Sequence, residues 1–88
     1  MDDARRFTYR RDVLESLLRH GVRPTSHTPP DLVRGFVRDL YKYEIRRLRE
    51  RYLKKEFSKA QYSLLVEALR NQYGVLALVP RQWLESGG

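Results

Sequence analysis

The chain has 88 residues, a net charge of +7 and no cysteine. This length leaves room for one small core, and the lack of cysteine excludes disulfides, thiolate catalysis and Cys-based zinc sites. No run approaches the roughly 18 apolar residues of a membrane span, and two aspartates directly after Met1 are the wrong start for a signal peptide. We therefore expect a single domain, residues 1–88, with a cytoplasmic location.

The first predicted helix covers residues 3–20. Asp3 or Thr8 is the expected N-cap, and Gly21 suits the left-handed residue that follows a helix end. A connector over residues 22–28 follows. The helix is expected to face the core with apolar residues that recur at i, i+1, i+4 and i+5, namely Val13, Leu14, Leu17 and Leu18.

The second predicted helix, residues 30–54, is the longest element and the one on which the others are arranged. Thr28 is the expected N-cap, Pro29 fits the first helical position, and Asp31 places a carboxylate in the first turn. At about 1.5 Å rise per residue the helix is nearly 40 Å long. Its apolar face is predicted to be broad, with Phe36 on the edge, and to consist of Val33, Val37, Leu40, Tyr41, Ile45, Leu48 and Tyr52.

A second face of this helix is basic. Residues 31–59 hold ten Lys or Arg against five Asp or Glu. Four of these cations fall within a narrow arc opposite the apolar face, over about 17 Å of helix. We call them the basic ridge: Arg38, Lys42, Arg46 and Arg49. With Arg34 at one margin, such a ridge is suited to the phosphate backbone of a nucleic acid, and a solvated helix face explains the same pattern without a ligand.

The third predicted helix, residues 58–73, has the clearest start. Ser58 and Gln61 match a capping box, and Phe57 and Tyr62 match a hydrophobic staple across the same turn. Gly74 is expected to end the helix. The short break before Ser58 predicts an antiparallel hairpin over residues 40–73.

Part of this hairpin resembles a known family. The stretch from Ile45 to Leu69 is similar to the short helical hairpins called SHOCT modules through Phe57-Ser58 and Gln61-Tyr62. Lys54-Lys55-Glu56 stands where those modules carry a glycine. Because the remaining likeness follows from capping physics that any hairpin can share, the sequence assigns the chain to no family.

The C-terminal part is predicted to be a short closing segment. Residues 74–79, with the apolar run VLALV, are expected to be extended or irregular, because the run is short and Val79 precedes a proline. Residues 80–85 are predicted to form one turn that folds Trp83 onto the core, and residues 86–88 to be a frayed tail. The fold class predicted for the whole chain is a small all-α, three-helix domain.

Catalysis is not expected. His20 and His27 stand alone, no spacing matches a metal site, and the glycines form no phosphate loop. The carboxylates Asp39, Glu44 and Glu50 lie among arginines, where ion pairing is the ordinary role. We predict no catalytic, metal or cofactor site, and the sequence shows no sign of a small-molecule substrate.

The favoured hypothesis is a protein-interaction or self-assembly module, with a homo-oligomer or another protein as partner. The long helix is too long for the other elements to cover, and tyrosine together with arginine is typical of interface centres. The same tyrosines also fit an ordinary core margin. The alternative function is nucleic-acid binding through the basic ridge. The residues predicted for the protein interface are Phe36, Tyr41, Tyr43, Tyr52, Val75, Leu76 and Leu78.

Overall fold

The computed structural model describes residues 6–85, and within them the protein is helical with no strand. This confirms the predicted all-α fold with three helices on one long central element. The predicted tail 86–88 and the first residues of the predicted first helix lie outside the described residues. The elements are α1 (Arg11–Arg19), α2 (Pro30–Leu53), α3 (Lys59–Gln72) and two short 3-10 helices, Gly74–Ala77 and Pro80–Trp83.

α1 begins at Arg11, so the prediction of helix from residue 3 is wrong over the described residues 6–10. These residues are not helical because their backbone bonds to distant parts of the chain. The N–H of Arg10 donates to the Trp83 carbonyl (2.9 Å), and the Thr8 carbonyl accepts from the N–H of Glu85 (2.8 Å). Thr8 is therefore not the N-cap, and Asp3, the other candidate, lies outside the described residues.

α1 ends as its sequence predicts, at a left-handed glycine. Gly21 has φ 75°, and its N–H donates to the Leu18 carbonyl (2.9 Å). The N–H of Val22 donates to the Leu17 carbonyl (2.9 Å). These two bonds form a Schellman motif, which satisfies carbonyls that the helix end leaves free.

The N-cap of α2 lies one residue later than the sequence predicts. Pro29 is the N-cap in an extended conformation and Pro30 is the first helical residue. Thr28 is instead part of the preceding turn, where its hydroxyl accepts from the Thr25 N–H (3.0 Å). Its carbonyl accepts from the Tyr9 hydroxyl (2.5 Å), which ties the N-terminal segment to the start of α2. With 24 residues, α2 is about 36 Å long.

α2 ends in a second Schellman motif, this time with lysine in the glycine position. Lys55 has φ 64°, and its N–H donates to the Tyr52 carbonyl (2.9 Å). The N–H of Glu56 donates to the Arg51 carbonyl (3.1 Å). A side chain in the left-handed region costs roughly 1 kcal/mol that glycine avoids.

α3 begins with the predicted capping box. The N–H of Gln61 donates to Ser58 Oγ (3.1 Å), and the N–H of Ser58 donates to Gln61 Oε1 (2.8 Å). The ring of Phe57 lies 6.4 Å from that of Tyr62, and Tyr62 stacks on Tyr52 of α2 at 4.4 Å. α3 therefore packs against the C-terminal half of α2 as an antiparallel hairpin.

The apolar run after α3 is mostly helical, which corrects the expectation of an extended or irregular segment over residues 74–79. Gly74–Ala77 is a 3-10 helix, and only Leu78 and Val79 are extended. Gly74 is not left-handed, and α3 ends at Gln72 with Tyr73 as its C-cap. A hydrogen-bonded turn satisfies backbone groups that a lone strand would leave unpaired.

The core lies where the N-terminal half of α2 meets α1 and the two 3-10 helices. Trp83 is fully buried, as predicted, and its Nε1 donates to the Val75 carbonyl (3.1 Å). Leu48 and Leu69 are the buried members that belong to the α2–α3 hairpin. The remaining buried apolar residues are Tyr9, Val13, Leu17, Val33, Val37, Val75 and Tyr73.

Candidate interaction surfaces

An open groove runs between α2 and α3 on one side of the hairpin. It encloses about 600 Å³, and its lining includes Leu40 and Leu48 from α2 and Leu65, Ala68 and Leu69 from α3. We call it the hairpin groove. Leu65 also borders a smaller depression beside Phe57 and Leu64 at the hairpin tip. The apolar surface therefore continues along the hairpin to its end.

The groove exists because α3 is apolar on more than one side. Tyr62, Val66 and Leu69 pack against the core. Leu65, one turn before Leu69, lies at the edge of that seam and is 41% exposed, whereas Leu64 points away from it and is 67% exposed.

Two arginines of α2 lie at the rim of the hairpin groove. The Arg47 guanidinium lies over the Tyr43 ring, 5.9 Å from its centroid. Arg51 pairs with Glu56 (2.9 Å) and lies 5.3 Å from the centre of the Phe57 ring. Cations held against aromatic faces keep their charge at the surface while covering part of the ring.

The same side of α2 exposes large apolar side chains beyond the groove. Leu32 is 66% exposed, Phe36 55% and Tyr43 54%. At about 100° per residue the three fall within an arc of roughly 40°. We call them the α2 stripe. The stripe and the hairpin groove share Tyr43, so together they form one continuous surface.

Of the seven residues predicted for a protein interface, the structure leaves Phe36 and Tyr43 exposed on this surface. The others make contacts within the fold. Tyr41 lies 5.2 Å from the ring of Tyr73, and Tyr52 stacks on Tyr62. Val75 is buried, and Leu76 and Leu78 are partly buried against the core.

All four members of the basic ridge are exposed along one side of α2. Arg38 approaches Asp39 at 3.8 Å with both side chains more than half exposed, which is a weak contact. Within residues 6–85, no ion pair engages Lys42, Arg46 or Arg49. The ridge therefore remains a positively charged surface.

Arg34 does not belong to the ridge. Its Nε donates to the Leu78 carbonyl (2.8 Å) and its Nη2 to the Leu76 carbonyl (2.6 Å). The planar guanidinium reaches both carbonyls at once, which an ammonium group cannot do. Arg34 thus fastens the C-terminal segment to α2. Sequence reasoning missed this role because no local pattern links residues 42 or more positions apart.

A polar aromatic cluster joins the end of α1 to α2 and α3. The Tyr73 hydroxyl donates to the Glu44 carboxylate, and the ring of His20 stacks on that of Tyr73 at 4.1 Å. Nε2 of His20 lies 2.9 Å from the Gln72 carbonyl and donates to it. Burial, followed by the hydrogen bond to Glu44, raises the pKa of Tyr73. His20 therefore has a structural partner.

The other titratable side chains with notable contacts do not lie together in one site. Burial, followed by the charge of Asp31, raises the pKa of Tyr9 to about 12. The Arg10 guanidinium lowers the pKa of Asp12 through their hydrogen bonds. His27 contacts Ser26 in an exposed loop. Across residues 6–85, no three His, Asp or Glu side chains are grouped as metal ligands would be.

Comparisons with known proteins found no match among family models, curated proteins or solved structures. Among the described helices, none combines the length and apolar character needed to cross a membrane.

Proposed function

We propose that this chain is a protein-interaction module without a reaction of its own, and that its contact surface is the hairpin groove together with the α2 stripe. The observation that carries the proposal is the exposure of Leu32, Phe36 and Tyr43. Each is more than half accessible, and all three lie on the same side of α2 as an apolar groove. Contiguous exposed apolar surface with a polar rim is characteristic of protein-binding sites. The composition, which lacks cysteine, favours the cytoplasm as the setting.

The rim supports the same proposal. Tyrosine and arginine are enriched among residues that dominate binding energy, and Arg47 over Tyr43 combines the two. The partner is a protein in this account, either a second copy of the chain or another polypeptide.

Site-specific photo-crosslinking in cells tests the proposal. A photoreactive amino acid at position 36 or 43 is expected to form covalent adducts with protein. The matched control places the same group at position 46, which is also exposed but belongs to the basic ridge. The proposal fails if positions 36 and 43 give no protein adduct above the control.

Nucleic-acid binding is the second candidate. It is supported by the basic ridge, where Lys42, Arg46 and Arg49 have no ion pair among the described residues. Each phosphate contact contributes roughly 0.9 to the slope of log affinity against log salt for duplex DNA. Replacing Arg38, Arg46 and Arg49 together with Ala should then lower that slope by about 2 to 3.

The control for this experiment removes the same charge elsewhere. The triple variant Arg11→Ala, Arg19→Ala, Arg70→Ala takes three exposed arginines from α1 and α3. If both triple variants weaken binding to generic duplex DNA and RNA equally, the ridge is not the binding site. If the wild-type chain does not bind at low salt, the second candidate is rejected.

A further inference from the structure

We infer that the occupant of the hairpin groove is a second copy of this chain, in an antiparallel pair of α2 helices whose twofold axis passes beside Tyr43. This inference rests on the proposed function, because it uses the same surface and names the partner.

The first argument is that α2 carries both halves of a self-complementary surface. On the N-terminal side of Tyr43 the exposed residues Leu32 and Phe36 project from the helix. On its C-terminal side lies the hairpin groove. A twofold axis at Tyr43 places the projecting residues of each copy over the C-terminal half of the other copy's α2, beside its hairpin groove, so one symmetric contact covers both.

The register of this pair follows from the axis. With Tyr43 opposite Tyr43, position i of one copy faces position 86 − i of the other. Phe36 then faces Glu50 and Leu32 faces Lys54, whose aliphatic stems cover the two apolar side chains while their charges stay at the rim. Because Tyr52 stacks on Tyr62, position 50 of α2 lies beside Leu64 of α3. Phe36 is thus level with Leu64 of the other copy, which borders the depression at the hairpin tip, and Leu32 lies one turn further toward that tip.

The second argument is electrostatic. Asp39 and Arg47 lie one turn on either side of Tyr43, on the same side of the helix. In the antiparallel register, Asp39 of each copy faces Arg47 of the other. A parallel pair would instead place Asp39 against Asp39 and Arg47 against Arg47. Opposite charges across an interface fix its register, and like charges exclude the wrong one.

Both members of this pair are accessible in the single chain. The Asp39 side chain is 72% exposed, and its contact is the 3.8 Å approach of Arg38. Arg47 already lies over Tyr43, at the position of the axis. The basic ridge lies about a quarter turn around α2 from the stripe. Apart from Arg46, which lies about 60° around the helix from Tyr43, the positive charge of each ridge is therefore directed away from the contact.

Cysteine crosslinking tests the antiparallel register. Because the chain has no cysteine, each introduced cysteine is its sole thiol. Tyr43→Cys alone is expected to give a covalent dimer on mild oxidation. A mixture of Phe36→Cys and Glu50→Cys is expected to crosslink between the two variants, whereas Phe36→Cys alone is not, because the two sites are about 21 Å apart along the axis. Arg46→Cys is the exposed control and is expected to stay uncrosslinked. Efficient self-crosslinking of Phe36→Cys would overturn the antiparallel register.

Charge exchange tests the pairing in solution. In sedimentation equilibrium, Asp39→Arg and Arg47→Asp are each expected to weaken dimerisation by about ten-fold or more. The double variant, which restores opposite charges, is expected to recover most of that loss. Lys42→Asp, on the ridge, is the control and should not weaken the dimer. Equal weakening by the single and double variants would overturn the Asp39–Arg47 pairing.

The same measurements separate this inference from the proposed function. A wild-type chain that stays monomeric at high concentration overturns the inference. If position 36 then photo-crosslinks to a different protein, the proposed function stands with another partner. If it crosslinks to no protein, both are rejected.

Discussion

The two halves of α2 have unequal neighbours. The N-terminal half is surrounded by α1, the extended N-terminal segment and both 3-10 helices, and Val37 and Trp83 there are 0% exposed. The C-terminal half has α3 as its neighbour, and its buried contacts, Leu48 and Leu69, are each 9% exposed. The core is therefore concentrated at one end of a long helix.

This difference shows how a short chain can hold a fold and still present apolar surface. About 36 Å of helix cannot be covered on all sides by the remaining residues. The core end supplies most of the burial that stabilises the fold. The hairpin end is held by a capping box and by the Tyr52–Tyr62 stack, which leaves one side of it free for a partner.

Removing the central side chain of the core end should have the largest effect. Trp83→Ala deletes a fully buried ring and leaves the Val75 carbonyl without its donor. Such a deletion typically costs about 3–5 kcal/mol, a large fraction of the stability of a domain this small. Far-UV circular dichroism with urea measures it. Leu64→Ala, on the exposed hairpin tip, is the control and should change stability by less than about 0.5 kcal/mol. Similar losses for both variants would contradict the unequal halves.

Arg34→Met should have the next largest effect. It keeps a long apolar stem but removes both hydrogen bonds to the Leu76 and Leu78 carbonyls. Charge-assisted bonds of this kind contribute about 1.5–3 kcal/mol each when buried. Because both bonds are only partly buried, solvent reduces their strength, and we expect a combined loss of about 2–3 kcal/mol in urea denaturation. Arg38→Met, one turn further along α2, should be nearly neutral. A neutral Arg34→Met would show that the C-terminal segment is fastened by packing alone.

Raising the pH should weaken the core end through Tyr9. Unfolded tyrosine ionises near pH 10, whereas burial keeps the folded Tyr9 protonated to about pH 12. Base therefore favours the unfolded chain, and the free energy of unfolding should fall by about 2–3 kcal/mol as pH rises from 10 to 12.

Tyr9→Phe should be less stable than the wild type at neutral pH, because its bond to the Thr28 carbonyl is gone, but should lose less stability in base. Part of the alkaline loss should remain, because Tyr73 also has a raised pKa. An unchanged alkaline slope in Tyr9→Phe would contradict the assignment.

The smallest predicted effect strengthens the hairpin end. Lys55→Gly removes a side chain from a left-handed position and should raise the free energy of unfolding by up to about 1 kcal/mol. Gly21→Ala, at the matching position after α1, should lower it by a similar amount, although nothing lies within 4 Å of the added methyl. A loss of stability in Lys55→Gly would mean that this side chain makes a contribution larger than its backbone cost.

The parts of the fold that depend on neighbouring residues could be predicted from sequence. The capping box of Ser58 and Gln61, the staple of Phe57 and Tyr62 and the left-handed Gly21 all involve contacts within five positions. The all-α class followed because these signals agreed with helical periodicity.

The parts that were missed depend on contacts across the chain. Residues 6–10 are not helical because their backbone groups bond near Trp83 and Glu85, far away in sequence. Arg34 was assigned to the edge of the basic ridge, yet its two acceptors belong to the C-terminal segment. The hairpin groove depends on which side of α2 is occupied by α3, and helical periodicity gives only the widths of the faces.

Amide hydrogen exchange at low and high protein concentration tests the difference between the two ends of α2 most directly. At low concentration, we expect the amides of α1, the first half of α2 and residues 73–84 to be the most protected, and those of the hairpin end to exchange faster. At high concentration, protection should rise in residues 40–53 and in α3. The first half of α2 is covered too, but it should change little because its amides are already protected in the monomer. Uniform protection along α2, or no change in the hairpin with concentration, would contradict the account.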